Sequence, residues 1–180
     1  MLFENIVRDY NRASIIIWSV GNETPISPVR NEFMGQLIDE THRLDNSRLV
    51  SAALMASRKD KQIIVDDPLG AKVDLLAVNT YNGWYSEDDL KDLPNFNWQN
   101  IWNKPMIFSE FGADAKYGFH DKSRKLKFSE EYQEDYFKYT LKMAQNIPFL
   151  VGMSPWILKD FRSPRRQHPI YQQGWNRKGL

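Results

Sequence analysis

One recurrence constrains this chain more than any other feature. Short apolar runs return at a near-regular spacing, with amphipathic or turn-rich stretches between them. Ser14–Val20 reads SIIIWSV, Leu49–Leu54 reads LVSAAL, Val73–Asn79 reads VDLLAVN, Pro105–Ser109 reads PMIFS and Phe149–Pro155 reads FLVGMSP. Runs this apolar suit strands buried on both faces, as in parallel sheets. Between them, Arg30–Asp45 sets Phe33, Met34, Leu37, Ile38, Thr41 and Leu44 at helical spacing. Ser129–Asn146 predicts a second helix, with Ser129 as N-cap and Glu130, Glu131 and Glu134 in its first turns. Phe3–Asn11 reads as the end of another, with Phe3, Ile6, Val7 and Tyr10 on one face. Strand alternating with helix or long connection is the pattern of βα units. The strand starts, near 14, 49, 73, 105 and 149, give about 34 residues per unit, a period similar to that of a (β/α)8 barrel of roughly 250 residues.

Composition narrows the partners. The 180 residues hold 24 Lys+Arg and 23 Asp+Glu, a net charge of +1, which argues against a polyanion as the main partner. The absence of cysteine excludes disulfides, zinc–thiolate sites and thiol nucleophiles. No apolar run approaches the roughly 18 residues of a membrane span. Met1–Tyr10 carries Glu4, Arg8 and Asp9 and no signal-peptide core, so no membrane partner is expected and the compartment stays open. His42, His120 and His168 read as surface or structural, without metal-ligand spacing; no metal and no cofactor is implied. Asp66-Asp67 before Pro68 reads as a turn. Asp121–Lys127 reads as a solvated charged loop, and the single basic stretch Arg162–Arg166 does not make a nucleic-acid protein of a neutral chain.

The distinctive residues follow the strands. Gly21-Asn22-Glu23 follows the first, Asn79 to Tyr85 the third, Glu110-Phe111-Gly112 the fourth and Trp156 the fifth. In a parallel α/β barrel the C-terminal strand ends converge on one mouth, where active sites are built. Glu23 and Glu110 are therefore expected to face one cleft. Two carboxyls among aromatic rings suggest glycoside hydrolysis: one protonates the leaving oxygen, the other attacks the anomeric carbon or activates water. That division needs environments that split their protonation states. Aromatic faces accept the C–H surfaces of sugars, and a tyrosine hydroxyl can hold a carboxylate in place. Taken singly, each of these residues is read more simply as loop or packing.

Together they resemble a known family. IIIWSVGNE, NTYNGWY, KPMIFSEFGAD and GMSPWILKDFRSPRRQHPIYQQGWNRKGL look like successive signatures of the catalytic barrel of glycoside hydrolase family 2, which includes β-galactosidases, β-mannosidases and β-glucuronidases. The resemblance runs from about Asn5 to Leu180. It implies Glu23 as general acid/base, Asn22 as ligand of the sugar 2-hydroxyl, and Glu110 as nucleophile of a retaining mechanism, with the two carboxyls about 5–5.5 Å apart. It implies Tyr81 as the hydrogen-bond donor to the nucleophile, Asn79, Trp84 and Tyr85 as site-lining residues, and Trp156 as the floor of the sugar site. Asn176 and Lys178 resemble the Asn-x-Lys motif by which β-glucuronidases hold the sugar carboxylate; an ammonium and an amide together favour a carboxylate over a hydroxymethyl group. Many glucuronidases carry arginine four positions before that Asn, where this chain has Gln172. Galactosidase or galacturonidase specificity stays open, as does a non-catalytic sugar-binding role.

The expected fold is thus α/β: a partial TIM (β/α)8 barrel comprising strands 4–8 with their helices. Five strands stand where a barrel needs eight, and at this period three further units are roughly 100 residues. The expectation is that residues 1–180 form the C-terminal part of a glycosidase barrel. On it, the first three βα units and the preceding β-sandwich domains lie outside the chain, the isolated piece acts poorly, its ligand is a carbohydrate, and its parent enzyme is a homo-oligomer.

Overall fold

A computed structural model describes all 180 residues. In chain order the elements are α1 (Leu2–Asp9), β1 (Ile17–Asn22), α2 (Pro28–Leu44), β2 (Leu49–Ala53), β3 (Ser57–Lys59), β4 (Gln62–Val65), β5 (Leu75–Asn79), β6 (Asn97–Asn100), β7 (Met106–Glu110), α3 (Glu130–Gln145), β8 (Leu150–Met153), β9 (Phe161–Arg162) and β10 (Trp175–Asn176). Five strands form one sheet in the order β1-β2-β5-β7-β8. The pairs β1–β2 and β2–β5 are parallel. Sequential strands lie side by side with helices or long connections between them, as in a partial (β/α)8 barrel.

The chain divides into two compact parts. One comprises Met1–Asn79, Asn97–Ile107 and Phe149–Gly152; the other comprises Thr80–Phe96, Phe108–Pro148 and Met153–Leu180.

In the first part, Val50 to Ala53 of β2 and Leu75 to Val78 of β5 are buried without alternation. Both faces of these strands are covered, which is why their sequences lack a polar period. β1 begins three residues later than its apolar run. The Arg48 guanidinium accounts for this: it donates to the carbonyls of Tyr10, Arg12 and Ile15 and holds those residues in a turn. Ile16 is left largely exposed. Ser27 caps α2, its hydroxyl accepting from the Arg30 N–H, and α2 buries Met34, Gly35, Ile38 and Thr41. Of the expected α1 face, Ile6 is buried while Phe3, Val7 and Tyr10 are exposed.

A small sheet of β3, β4 and β6 adds to this part. No apolar run announces it, since β3 is exposed throughout and β6 buries Trp98 alone. Asp67, read as a turn residue, is a buried anion. It caps the short 3-10 turn Pro68–Ala71 through the Leu69 N–H and meets Arg30 in a two-point ion pair, 2.7 Å at each oxygen. Arg30 also donates to Thr24 Oγ1 at 2.9 Å and so ties the loop that follows β1 to this anion.

In the second part, Ser129 caps α3 by accepting from the Tyr132 N–H. Tyr132, Tyr136, Thr140 and Met143 form the buried stripe of the helix. That stripe packs on the turn Leu90–Asn95, whose Leu90 and Leu93 are buried. β9 and β10 pair antiparallel, Trp175 opposite Arg162 and Asn176 opposite Phe161. Asp121, in the charged run, has a mostly covered side chain that accepts from the Arg124 N–H. No helix is long and apolar enough to cross a membrane.

Candidate active site

Asn22 is the last residue of β1, and Glu23 follows it with φ +47°, in the left-handed region that a non-glycine residue rarely adopts. Its N–H still bonds the Ala53 carbonyl of β2 at 2.9 Å. The register of β1 on β2 shifts between Ser19 and Asn22, and Gly21 lies against Met34 of α2. A local irregularity thus re-aims the end of β1 at the residue expected to be the acid/base, the kind of backbone strain that clusters at functional sites. Asn79, at the end of β5, donates its amide to Asn22 Oδ1 at 2.9 Å, so these two expected site residues meet in the first part.

In the second part, Glu110 is the last residue of β7. Its carbonyl accepts the Thr80 N–H at 2.8 Å, and its carboxylate accepts a hydrogen bond of 2.6 Å from the Tyr81 hydroxyl. Burial, and then that carboxylate, push the Tyr81 phenol well above the ordinary tyrosine range, so it remains a donor. The loop from Thr80 to Tyr85 is a tight turn. Tyr81 O accepts the N–H groups of Trp84 and Tyr85, and Gly83 takes φ +84° with Leu90 packed where a side chain would sit.

Helix α3 anchors this loop with phenols. Tyr132 donates to the Gly83 carbonyl, while Tyr136 donates to the Thr80 carbonyl at 3.2 Å and accepts from the Gly112 N–H at 3.3 Å. Gly112 itself is dictated by the Trp156 carbonyl, which would lie 2.3 Å from any Cβ there. Trp156 donates its N–H to Phe111 O, its ring meets Phe161 edge-on, and the Trp156–Ile157 peptide bond is cis.

Lys178 is wholly buried. Its ammonium binds Asp114, which is equally buried, and lies 5.0 Å from the ring centre of Trp84, 5.1 Å from Tyr85 and 5.8 Å from Tyr81. Three rings and one carboxylate therefore surround one cation. Asn176 accepts the Lys178 N–H through its side chain. Gln172 gives its amide to the other Asp114 oxygen at 2.7 Å, and the Arg177 N–H adds a longer bond. The terminal segment is stitched in place from both sides, Ala115 N–H to Arg177 O and Ile157 N–H to Lys178 O.

The structure thus gathers Tyr81, Glu110, Trp84, Tyr85 and Lys178, with Asn176 beside Lys178. Trp156 has Phe161 as its ring neighbour. Asp114 was not singled out from the sequence. Its one signal is its place four residues after Glu110 in SEFGAD. No cluster of His, Cys, Asp or Glu suited to a metal ion is present.

Residues 1–175 match the family described as glycosyl hydrolases family 2, TIM barrel domain. A beta-glucuronidase of Paenibacillus borealis is 30% identical over 196 residues, covering 100% of this chain and 30% of the relative. A beta-glucuronidase of Canis lupus familiaris is 34% identical, covering 98% of the chain and 27% of the relative. Among solved structures, the beta-D-glucuronidase of Dictyoglomus thermophilum superposes with a TM-score of 0.81 at 31% identity, over 99% of this chain and 30% of that one. The GH2 beta-galacturonidase of Eisenbergiella tayi gives 0.79 at 26% identity, over 99% and 32%. The chain spans about three tenths of the length of the curated relatives it matches. With that match running from Met1 to the second-last strand residue, and with the same fold in structures of known glycosidases, the chain belongs to glycoside hydrolase family 2.

Proposed function

We propose that the polypeptide carrying this sequence hydrolyses β-glycosides of an acidic sugar, with β-glucuronides as its substrate class, by the retaining route. Glu110 attacks the anomeric carbon as the glycosidic bond breaks, and Glu23 gives its proton to the departing oxygen. Glu23 then takes a proton from water, which displaces Glu110 and releases the sugar. Asn22 holds the 2-hydroxyl, Asn79 and Tyr81 brace their neighbours, and Trp84, Tyr85 and Trp156 offer apolar faces to the ring. Asn176 and Lys178 meet the sugar carboxylate.

One observation carries the reading. Tyr81 donates to the Glu110 carboxylate while its ring stands 5.8 Å from the Lys178 ammonium. A single residue thereby links the group expected to attack with the group expected to recognise an acid. The relatives named beta-glucuronidase support the choice of sugar. A second reading, β-galacturonide hydrolysis, has the Eisenbergiella tayi likeness in its favour.

Comparing turnover of p-nitrophenyl β-glucuronide, β-galacturonide and β-galactoside, with Glu110→Gln as control, tests the proposal. Glucuronide is expected to lead and the control to lose at least about a thousandfold. Turnover that survives in the control overturns the mechanism, and galactoside in first place overturns the substrate class.

A further inference from the structure

We infer that Arg166 is a specificity-determining residue, a second cation beside Tyr85 that reaches the carboxylate of the sugar. The inference rests on the reading above that the substrate is acidic. Lys178 has little free charge to offer an anion. That ammonium is wholly buried, and Asp114 already neutralises it. A carboxylate brought to this pair meets no net charge and a cation with one hydrogen bond committed. Gln172 gives its amide to the same Asp114 and adds no cation.

Tyr85 connects this closed pair to solvent. Its ring centre lies 5.1 Å from the Lys178 ammonium, yet 56% of the residue is exposed. Arg166 sits on the ring. Its guanidinium donates to the Tyr85 hydroxyl at 2.8 Å, and its central carbon is 5.6 Å from the ring centre. It forms no ion pair. A half-buried guanidinium with one N–H committed keeps a planar fork of donors, the geometry that binds a carboxylate at two points.

Nor is the side chain on a loose loop. The Arg166 N–H bonds Ser163 O at 3.1 Å, and its carbonyl accepts the Gly174 N–H at 2.7 Å. Those contacts fasten it to the β9–β10 pair, and β10 leads directly into Asn176 and Lys178. One short segment of chain therefore supplies both cations to Tyr85.

The test compares Arg166→Ala and Arg166→Lys on p-nitrophenyl β-glucuronide and p-nitrophenyl β-galactoside. Arg166→Ala is expected to raise KM for the glucuronide about tenfold or more with kcat within about threefold, and to leave both constants for the galactoside within about twofold. Arg166→Lys, which keeps the charge and loses the fork, should fall between. Thermal melting of the variants should stay within a few degrees of the wild type, since Arg166 is half-buried. Equal changes on both substrates, or an unchanged glucuronide KM in a wild type that prefers glucuronide, overturn the role of Arg166 alone. A wild type without preference for the acidic sugar overturns the functional reading and this inference with it.

Discussion

Tyr81 and Glu110 share a hydrogen bond of 2.6 Å in which the phenol is the donor and the carboxylate the acceptor. Bonds to a charged acceptor are worth more than neutral ones, about 1.5–3 kcal/mol. Tyr81→Phe removes this bond and little else. The expected outcome is a fall in kcat on aryl β-glucuronides of about 10–100-fold with KM within about threefold. A kcat within twofold of wild type would show that the bond does not position the carboxylate.

The Asp114–Lys178 pair gives a thermodynamic cycle. Both side chains are wholly buried, so removing one partner strands the other's charge or acceptors. Asp114→Asn and Lys178→Met should each destabilise by about 3–5 kcal/mol in urea unfolding. The double variant should be more stable than the sum of its singles predicts, because no charge is left stranded. Strict additivity would mean that the two groups do not act as a pair.

Asp67 predicts a pH dependence. Burial alone would raise its carboxyl, but the Arg30 guanidinium and the N–H groups of Leu69 and Met55 outweigh it and hold the group below the ordinary aspartate value. A carboxyl depressed in the folded state stabilises fully above its unfolded value, about 3.9. That contribution is lost as pH falls through the lower folded value. Asp67→Asn should therefore cost stability at pH 7, and the gap to wild type should close as pH drops below about 4. A gap that stays constant down to pH 2 would refute the assignment.

Two glycines contrast the neighbours they face. At Gly112 an added Cβ would lie 2.3 Å from a backbone oxygen of Trp156, which cannot turn aside. At Gly21 it would lie 2.2 Å from the terminal methyl of Met34, which can. Gly112→Ala should cost about 1–3 kcal/mol and disturb the Trp156 environment; Gly21→Ala should cost less than about 1 kcal/mol. Urea midpoints, with tryptophan fluorescence, read both, and the reverse order would contradict these contacts.

The strands that cross the core could be found from sequence because burial on both faces leaves mostly apolar residues, as in LVSAAL and LLAVN. The small sheet could not, since Ser57–Lys59 and Asn97–Asn100 are polar and owe their pairing to position. The helix that carries Tyr132 and Tyr136 was visible from its Ser129 cap and acidic first turns. Their hydroxyl bonds to Gly83 and Thr80 were not, because a helical period reports which side is buried and not what meets it. The same limit hid Asp114. Its partner Lys178 lies 64 residues away, and Arg166 lies 81 residues from Tyr85. The motifs named residues on each side of these contacts, and chain folding alone brings them together.

The closure of Lys178 onto Asp114 also shapes how an anion is felt at a distance. Seen from beyond its own length, an ion pair is a dipole, and its field dies away faster than that of a single charge. Discrimination by this pair therefore operates at contact and is nearly indifferent to salt, whereas the guanidinium on Tyr85 acts as a monopole whose reach shrinks with the Debye length. On the reading proposed above, both cations select an anionic ligand, the buried pair at contact alone and Arg166 also at a distance.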